Sequence, residues 1–403
     1  MQQRSFRFPQ LSKTTIIFPA SFWMAMTVNA VNLGLVFYAS NHFKATATQV
    51  GILYGVYNLS YMLACLLFKK ILQRVRPQIC VLIATCGMLS GLLGIYLSPR
   101  LEPAYFFQAI CGLSTALFWP PLMGWLTEGY EGERLGRITG LYNLCWSSGA
   151  IIGPLLAGHL GADDSARPLR YCIAAYALLL AFLWFGYRRQ DDAQSGKLPP
   201  NTPSDTAADA ADAAPSGRQT TMRYPCWLGG LCAWATSGMI LNIYPLFAED
   251  AKGLGLTKPA IGTLLFVRAL AMTGAMSLMG FIKHWHFNFA QLLGGHFLLA
   301  LAVLGLGCSK DMTLIVVLLA VCGILAGHAY SNSMFHGVSG CQDRTFRMAI
   351  HEVVLAIGAV IGSVLSGQIY QRWGSAPPLF ICTALFMLPA IVGDIIWRRF
   401  QKH

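Results

Sequence analysis

Charge is scarce in this sequence. Asp, Glu, Lys and Arg make up 11% of its 403 residues, where soluble domains hold about a quarter. Acidic side chains are the rarest, 17 against 29 Lys and Arg, which leaves a formal net charge of +12. The signatures of common chemistry are missing too. No G-x-x-x-x-G-K-[ST] loop occurs, so nucleotide hydrolysis has no visible machinery. The 12 cysteines contain no C-x-x-C pair, which argues against a disulfide framework or a zinc site; surrounded by apolar residues they act as small hydrophobes. His351 and Glu352 open like the H-E-x-x-H of a zinc protease, but the second histidine position is Leu355. No metal, no cofactor and no enzymatic activity are therefore expected.

Hydrophobic residues make up 55% of the chain. They lie in long runs rather than short amphipathic stripes, and each run is near the ~20 residues that cross ~30 Å of hydrocarbon. The runs fall at 16 to 40, 50 to 68, 78 to 98, 103 to 127, 138 to 160, 170 to 187, 225 to 248, 259 to 282, 289 to 308, 312 to 335, 349 to 370 and 376 to 397. They predict an all-α membrane protein with twelve transmembrane helices. The first run is too long for the core of a cleavable signal peptide. Residues 188–223, rich in Ala, Asp, Pro, Ser and Thr, read as a disordered linker between a six-helix bundle over 1–187 and another over 224–403.

The basic residues sit between the runs, where they set orientation rather than bind nucleic acid. With the amino terminus inside, 20 of the 29 Lys and Arg fall on the inner side, among them Lys69, Lys70, Arg74 and Arg76. Eight fall outside, and Arg268 lies within a run. This asymmetry predicts a multi-pass protein of the bacterial inner (plasma) membrane with both termini cytoplasmic.

The two halves repeat. Cys111-Gly112 recurs as Cys322-Gly323, GAIIGPLLAG at 149–158 recurs as GAVIGSVLSG at 358–367, and TQVG at 48–51 corresponds to PAIG at 259–262. Two six-helix halves joined by a linker resemble the major facilitator superfamily. The most specific element is in the fifth run, where Gly140, Gly149, Gly153, Pro154 and Gly158 match that family's G-x8-G-x3-G-P-x2-G-G pattern, with Ala157 replacing one glycine. The competing reading of the same residues is ordinary close helix packing. In the family this pattern is most typical of proton-coupled exporters. The family's G-x-x-x-D-R-x-G-R-R loop is degraded to KKILQRVRPQ, with Gln73 at the Asp position and only Arg74 kept.

Ionisable residues within a membrane span cost ~2.5–3.5 kcal/mol on insertion scales, so each needs an explanation. Arg268, near mid-depth in the eighth run, can hold a substrate carboxylate or phosphate, or pair with a carboxylate such as Glu352. Glu352 and its neighbour His351, in the eleventh run, are candidates for proton coupling; the alternative is that Glu352 closes an inner gate with Arg344 or Arg347. A polar and aromatic wall is expected from Asn29, Asn32, Tyr57, Asn58, Trp119, Asn143, Trp146, Asn242, His328 and Asn332, in runs that line the cavity in the family. For any single Asn the competing reading is an interhelical hydrogen bond. Asp394 reads as a local pair with Arg398 one turn on, and His296 as a packed histidine.

The expected function is secondary transport of a small organic molecule by a monomer in the bilayer. Proton-coupled export stands first, with proton-coupled uptake of a polar metabolite or organic anion as the alternative. A ligand-binding sensor or a lipid translocator is the alternative of another class.

Overall fold

The computed structural model of the protein describes residues 12–68, 74–128, 132–194, 222–282, 284–339 and 344–400. Among the described residues every regular element is an α-helix. They are α1 (Lys13–His42), α2 (Ala47–Leu67), α3 (Pro77–Leu97), α4 (Leu101–Thr127), α5 (Gly132–Leu160), α6 (Arg167–Gln194), α7 (Arg223–Asn242), α8 (Tyr244–Glu249), α9 (Lys258–Met279), α10 (Phe289–Cys308), α11 (Met312–Val338), α12 (Arg344–Trp373), α13 (Ala376–Leu385) and α14 (Leu388–Phe400).

Local sequence sets the helix ends. Thr46 and Gln49 cap α2 reciprocally: the Thr46 hydroxyl accepts from the Gln49 N–H, and Gln49 Oε1 accepts from the Thr46 N–H at 2.8 Å. Asn288 and Asp311 cap α10 and α11 by accepting from the N–H groups of Gln291 and Leu314. Pro77, Pro259 and Pro377 stand in the first turns of α3, α9 and α13, where a missing N–H leaves no bond unmade.

Proline also explains where two runs differ from the observed helices. The run at 225 to 248 divides into α7 and α8 at Ile243, just ahead of Pro245, and the run at 376 to 397 divides into α13 and α14 ahead of Pro389. A proline offers no N–H and its ring crowds the carbonyl four residues back. Helix α6 continues to Gln194, into the stretch read as linker. The remaining linker residues, 195–221, lie outside the described residues, as do 69–73 of the degraded loop, Gln73 included.

Eleven described segments, counting α7 with α8 and α13 with α14, are long and apolar enough to cross a membrane. Helix α5, 29 residues long but diluted by glycine, serine and asparagine, completes two bundles of six. Within the halves α1 packs along α5, α3 along α4, α9 along α11 and α7 along α12; between the halves α2 lies along α12 and α5 along α9. The sequence repeat exchanges these two cross-half pairs.

Both pairs close at the end opposite the termini, and glycine makes the closure possible. A Cβ at Gly51 would stand 2.3 Å from the Ser363 carbonyl oxygen, and one at Gly367 would stand 2.5 Å from that of Ala47. Gly158 and Gly262 face each other across α5 and α9, so that a Cβ on Gly158 would meet the Gly262 Cα at 2.8 Å. Polar contacts across the halves add to this: the Thr48 N–H donates to Gln371 Oε1 at 3.2 Å, and Lys258 Nζ lies 5.7 Å from the centre of the Phe37 ring. Toward the end bearing the termini α5 and α9 part. Gly140 lies five helical turns from Gly158 and so on the same face, yet a Cβ there would meet nothing within 4 Å.

This closure predicts a trapped state. Gly51→Val places a methyl-bearing Cβ against backbone that cannot move aside, so the α2–α12 contact should stay open. Spin labels at positions 48 and 371 should separate by up to ~10 Å, a helix width; an unchanged distance would mean that the glycine is not needed for closure.

Candidate functional site

Arg268 lies midway along α9 and is only 4% exposed. Its Nη2 donates to Ser237 Oγ of α7 at 2.7 Å, while its Nε is buried with no hydrogen-bond partner. Among the described residues no carboxylate lies within 4.0 Å of the guanidinium, so the pairing with Glu352 considered from sequence does not occur here. Gly323 of α11 packs against the Arg268 carbonyl, where a Cβ would stand 2.3 Å away. That close approach brings α11 against α9 beside the arginine. The result is a buried cation with one neutral partner and a donor to spare.

Glu352 is half-buried on α12 and looks across to the other half. The Tyr61 side chain of α2 lies near its carboxylate, and Cys65, one turn further along α2, lies near both. Arg347 does not close a gate onto Glu352 here; its guanidinium lies 5.7 Å from the centre of the Trp227 ring. The Arg344 side chain lies outside the described residues. His351, fully buried, turns away from Glu352 and into its own bundle. Its Nδ1 is 2.9 Å from Ser333 Oγ of α11, and the Tyr330 ring meets it edge-on at 5.0 Å. Trp234 of α7 packs on Tyr330 at 5.3 Å, which extends this aromatic wall.

The other expected wall residues divide into two groups. Trp119 of α4 and Trp146 of α5 meet edge to face at 6.4 Å, and Asn143 is exposed one turn before Trp146. His328 and Asn332 adjoin on α11, with the Asn332 amide 3.2 Å from His328 Nε2. Asn143 keeps its amide exposed, whereas Asn332 is buried and its amide also donates to the His328 carbonyl at 2.9 Å. The remainder are engaged in packing. Asn29 and Asn58 donate to the carbonyls four residues back, Ala25 and Tyr54, each at 2.9 Å. Asn242 donates to Ser363 Oγ at 2.7 Å, tying α7 to α12. Tyr57 bonds Thr115 Oγ1 at 2.9 Å and, with Asn32, borders a small void inside the first bundle. On α5, Gly149 and Gly153 admit the α1 backbone: a Cβ on Gly149 would stand 2.2 Å from the Phe22 carbonyl oxygen, and one on Gly153 2.6 Å from that of Met26. Pro154 is buried beside them, its carbonyl 2.7 Å from a Cβ built on Gly262.

The reading of Asp394 as a surface partner of Arg398 is overturned. Asp394 is fully buried, and its Oδ2 lies 2.8 Å from Nδ1 of His296 on α10. Arg398 instead lies over Phe289, 5.5 Å from the ring centre. Position misled here: Asp394 is close to the end of its run in sequence, but α14 turns it inward against α10. Ser237 and Ser333, which hold Arg268 and His351, gave no signal, because serine is common in membrane helices and carries no charge to explain.

Comparison with known proteins agrees with this architecture. The profile of the Major Facilitator Superfamily matches residues 17–341. NicT of Pseudomonas putida, named for metabolite transport, is 24% identical over 326 residues, 74% of this chain and 72% of its own length. Among solved structures, a POT family transporter in complex with 5-aminolevulinic acid superposes with a TM-score of 0.75 at 12% identity, covering 96% of this chain and 95% of its own. The nucleoside transporter NupG gives 0.74 at 12% identity, with 96% and 99% covered. An inward-facing, unoccupied bacterial homologue of the human lysosomal transporter Spinster gives 0.72 at 13%, with 96% of each chain covered. Likeness at such low identity speaks for the fold alone, but the profile spans most of the sequence, and a membrane protein with two repeated six-helix bundles and this match belongs to the major facilitator superfamily.

Proposed function

We propose that this chain is a secondary active transporter that moves a small organic anion together with protons by alternating access. The observation that carries the anionic substrate is Arg268, buried with a vacant Nε donor and no carboxylate within 4.0 Å among the described residues. A guanidinium in that setting gains most from a carboxylate or phosphate, which can accept from two of its N–H groups at once.

Charge balance then links the anion to the proton. With the carrier empty, cationic Arg268 and an ionised Glu352 sum to zero. Once an anion sits on Arg268 and a proton on Glu352, the sum is again zero. Either ligand alone leaves a net charge inside the membrane, which low-dielectric surroundings penalise. Anion and proton are thereby favoured as a pair and travel in the same direction. With both termini in the cytoplasm, as the distribution of Lys and Arg suggests, the inward proton gradient of a bacterial cell would make this uptake. The exporter reading drew on the glycine pattern of α5, and Gly149, Gly153 and Gly158 already have a packing role. The metabolite-transport name of NicT leans toward the same reading.

The test is a thermal-unfolding screen of the detergent-purified protein against organic acids and their uncharged amides or esters. A ligand present at 100 times its Kd stabilises by ~2.7 kcal/mol when it binds only the folded state. Stabilisation by acids and not by their neutral analogues is the expected result. Hits confined to neutral or cationic lipophilic compounds would remove the anion reading and return export to first place.

A further inference from the structure

The second bundle contains a buried acid–base pair that the proposed transport site does not use. His296 is 1% exposed and Asp394 is fully buried, with Nδ1 and Oδ2 2.8 Å apart. Each keeps an unpartnered buried atom, His296 Nε2 and Asp394 Oδ1. The packing around them depends on glycine at two places. A Cβ at Gly229 of α7 would stand 2.1 Å from His296 Nε2, and one at Gly295 of α10 would stand 3.0 Å from Nδ1 of His328. One glycine admits the His296 ring against α7. The other lets the His328 ring lie over α10 beside His296, within its electrostatic reach. His328 in turn adjoins Asn332, which places further polar groups of α11 beside the pair joining α10 to α14.

We propose that His296 and Asp394 form a proton-binding site inside the second bundle, distinct from Glu352, which exchanges its proton by way of the neighbouring His328. In the unloaded state the Nδ1–H of neutral His296 donates to ionised Asp394 and Nε2 is bare. Loading adds one proton, received by way of His328, to Nε2, and the buried pair passes from a net charge of −1 to zero. Unloading reverses the step with no other change in bonding. A structural hydrogen bond needs neither a bare Nε2 nor a second histidine beside it. The other titratable groups against the pair are Cys226 and Cys232 on α7 and His328 on α11. Among the described residues no Lys or Arg pairs with Asp394.

The decisive experiment follows isotope-labelled histidine rings by solid-state NMR in the full chain reconstituted in lipid, between about pH 5 and about pH 9. His296 signals are identified as those missing from His296→Gln. The expected result is a His296 ring that changes between neutral and charged forms in the wild type and stays neutral in Asp394→Asn. A ring fixed in one form across the range in the wild type would overturn the proposal, and the only variant this outcome relies on is His296→Gln, used to assign the signals. Proton counting with an indicator dye over the same range gives a second arm. The His296→Leu/Asp394→Leu double variant should release one proton fewer per chain than the wild type, and an equal count would overturn the proposal. Glu352→Gln should leave the His296 titration intact, so that failure of the Glu352 reading and failure of this one give different results.

Discussion

Arg268→Lys should weaken transport of anionic solutes roughly 10- to 150-fold in KM while changing that of neutral analogues little. Lysine keeps the charge but replaces a planar fork by a single ammonium, which can serve Ser237 or the substrate with full geometry but not both. The expected loss corresponds to one charge-assisted hydrogen bond, about 1.5–3 kcal/mol. Ser237→Ala should have a smaller effect in the same direction, because it frees the guanidinium without moving it from α9. Flux measured in proteoliposomes with acid and amide pairs reads this directly. Equal losses for charged and neutral solutes would assign Arg268 to folding rather than to recognition.

Glu352→Gln should abolish accumulation driven by an imposed pH gradient and leave counterflow exchange running. Exchange returns the carrier loaded in both directions and needs no net proton movement, whereas accumulation requires a group that binds a proton on one side and gives it up on the other. Glutamine keeps the shape and the reach to Tyr61 but cannot change charge. Tyr61→Phe, which removes the hydroxyl facing Glu352 from the other half, should shift the pH dependence of accumulation without eliminating it. Gradient-driven accumulation that survives in Glu352→Gln would rule out Glu352 as the coupling group and turn attention to His296 and Asp394.

These two residues were visible in the sequence for a simple reason: a charged side chain in a long apolar run has few explanations. The Asn and Tyr residues were harder to rank. Asn29, Asn58 and Asn332 each donate to the carbonyl four residues back in their own helices, while Asn242 ties α7 to α12 and Asn143 stays exposed, and nothing in the chain distinguishes those fates. The α5 glycines were legible as close-approach residues, but their partners were not. Gly149 and Gly153 meet α1 within the first bundle, whereas Gly158 meets Gly262 across the two halves.

The sequence by itself determined the membrane setting, the number and approximate ends of the helices, the two-fold repeat and the presence of an arginine and a glutamate within apolar runs. Each follows from local or periodic properties: apolar length, caps, prolines, charge placement and spacing between equivalent motifs. Tertiary structure alone decided which side chains meet. It left Arg268 with Ser237 and no carboxylate, set Tyr61 opposite Glu352 and joined Asp394 to His296 across 98 residues of chain. Such contacts depend on how each helix is rotated about its axis and on which neighbour it packs against. Rotation and partner are set by the summed fit of two whole helix surfaces, to which no single residue or spacing is a guide.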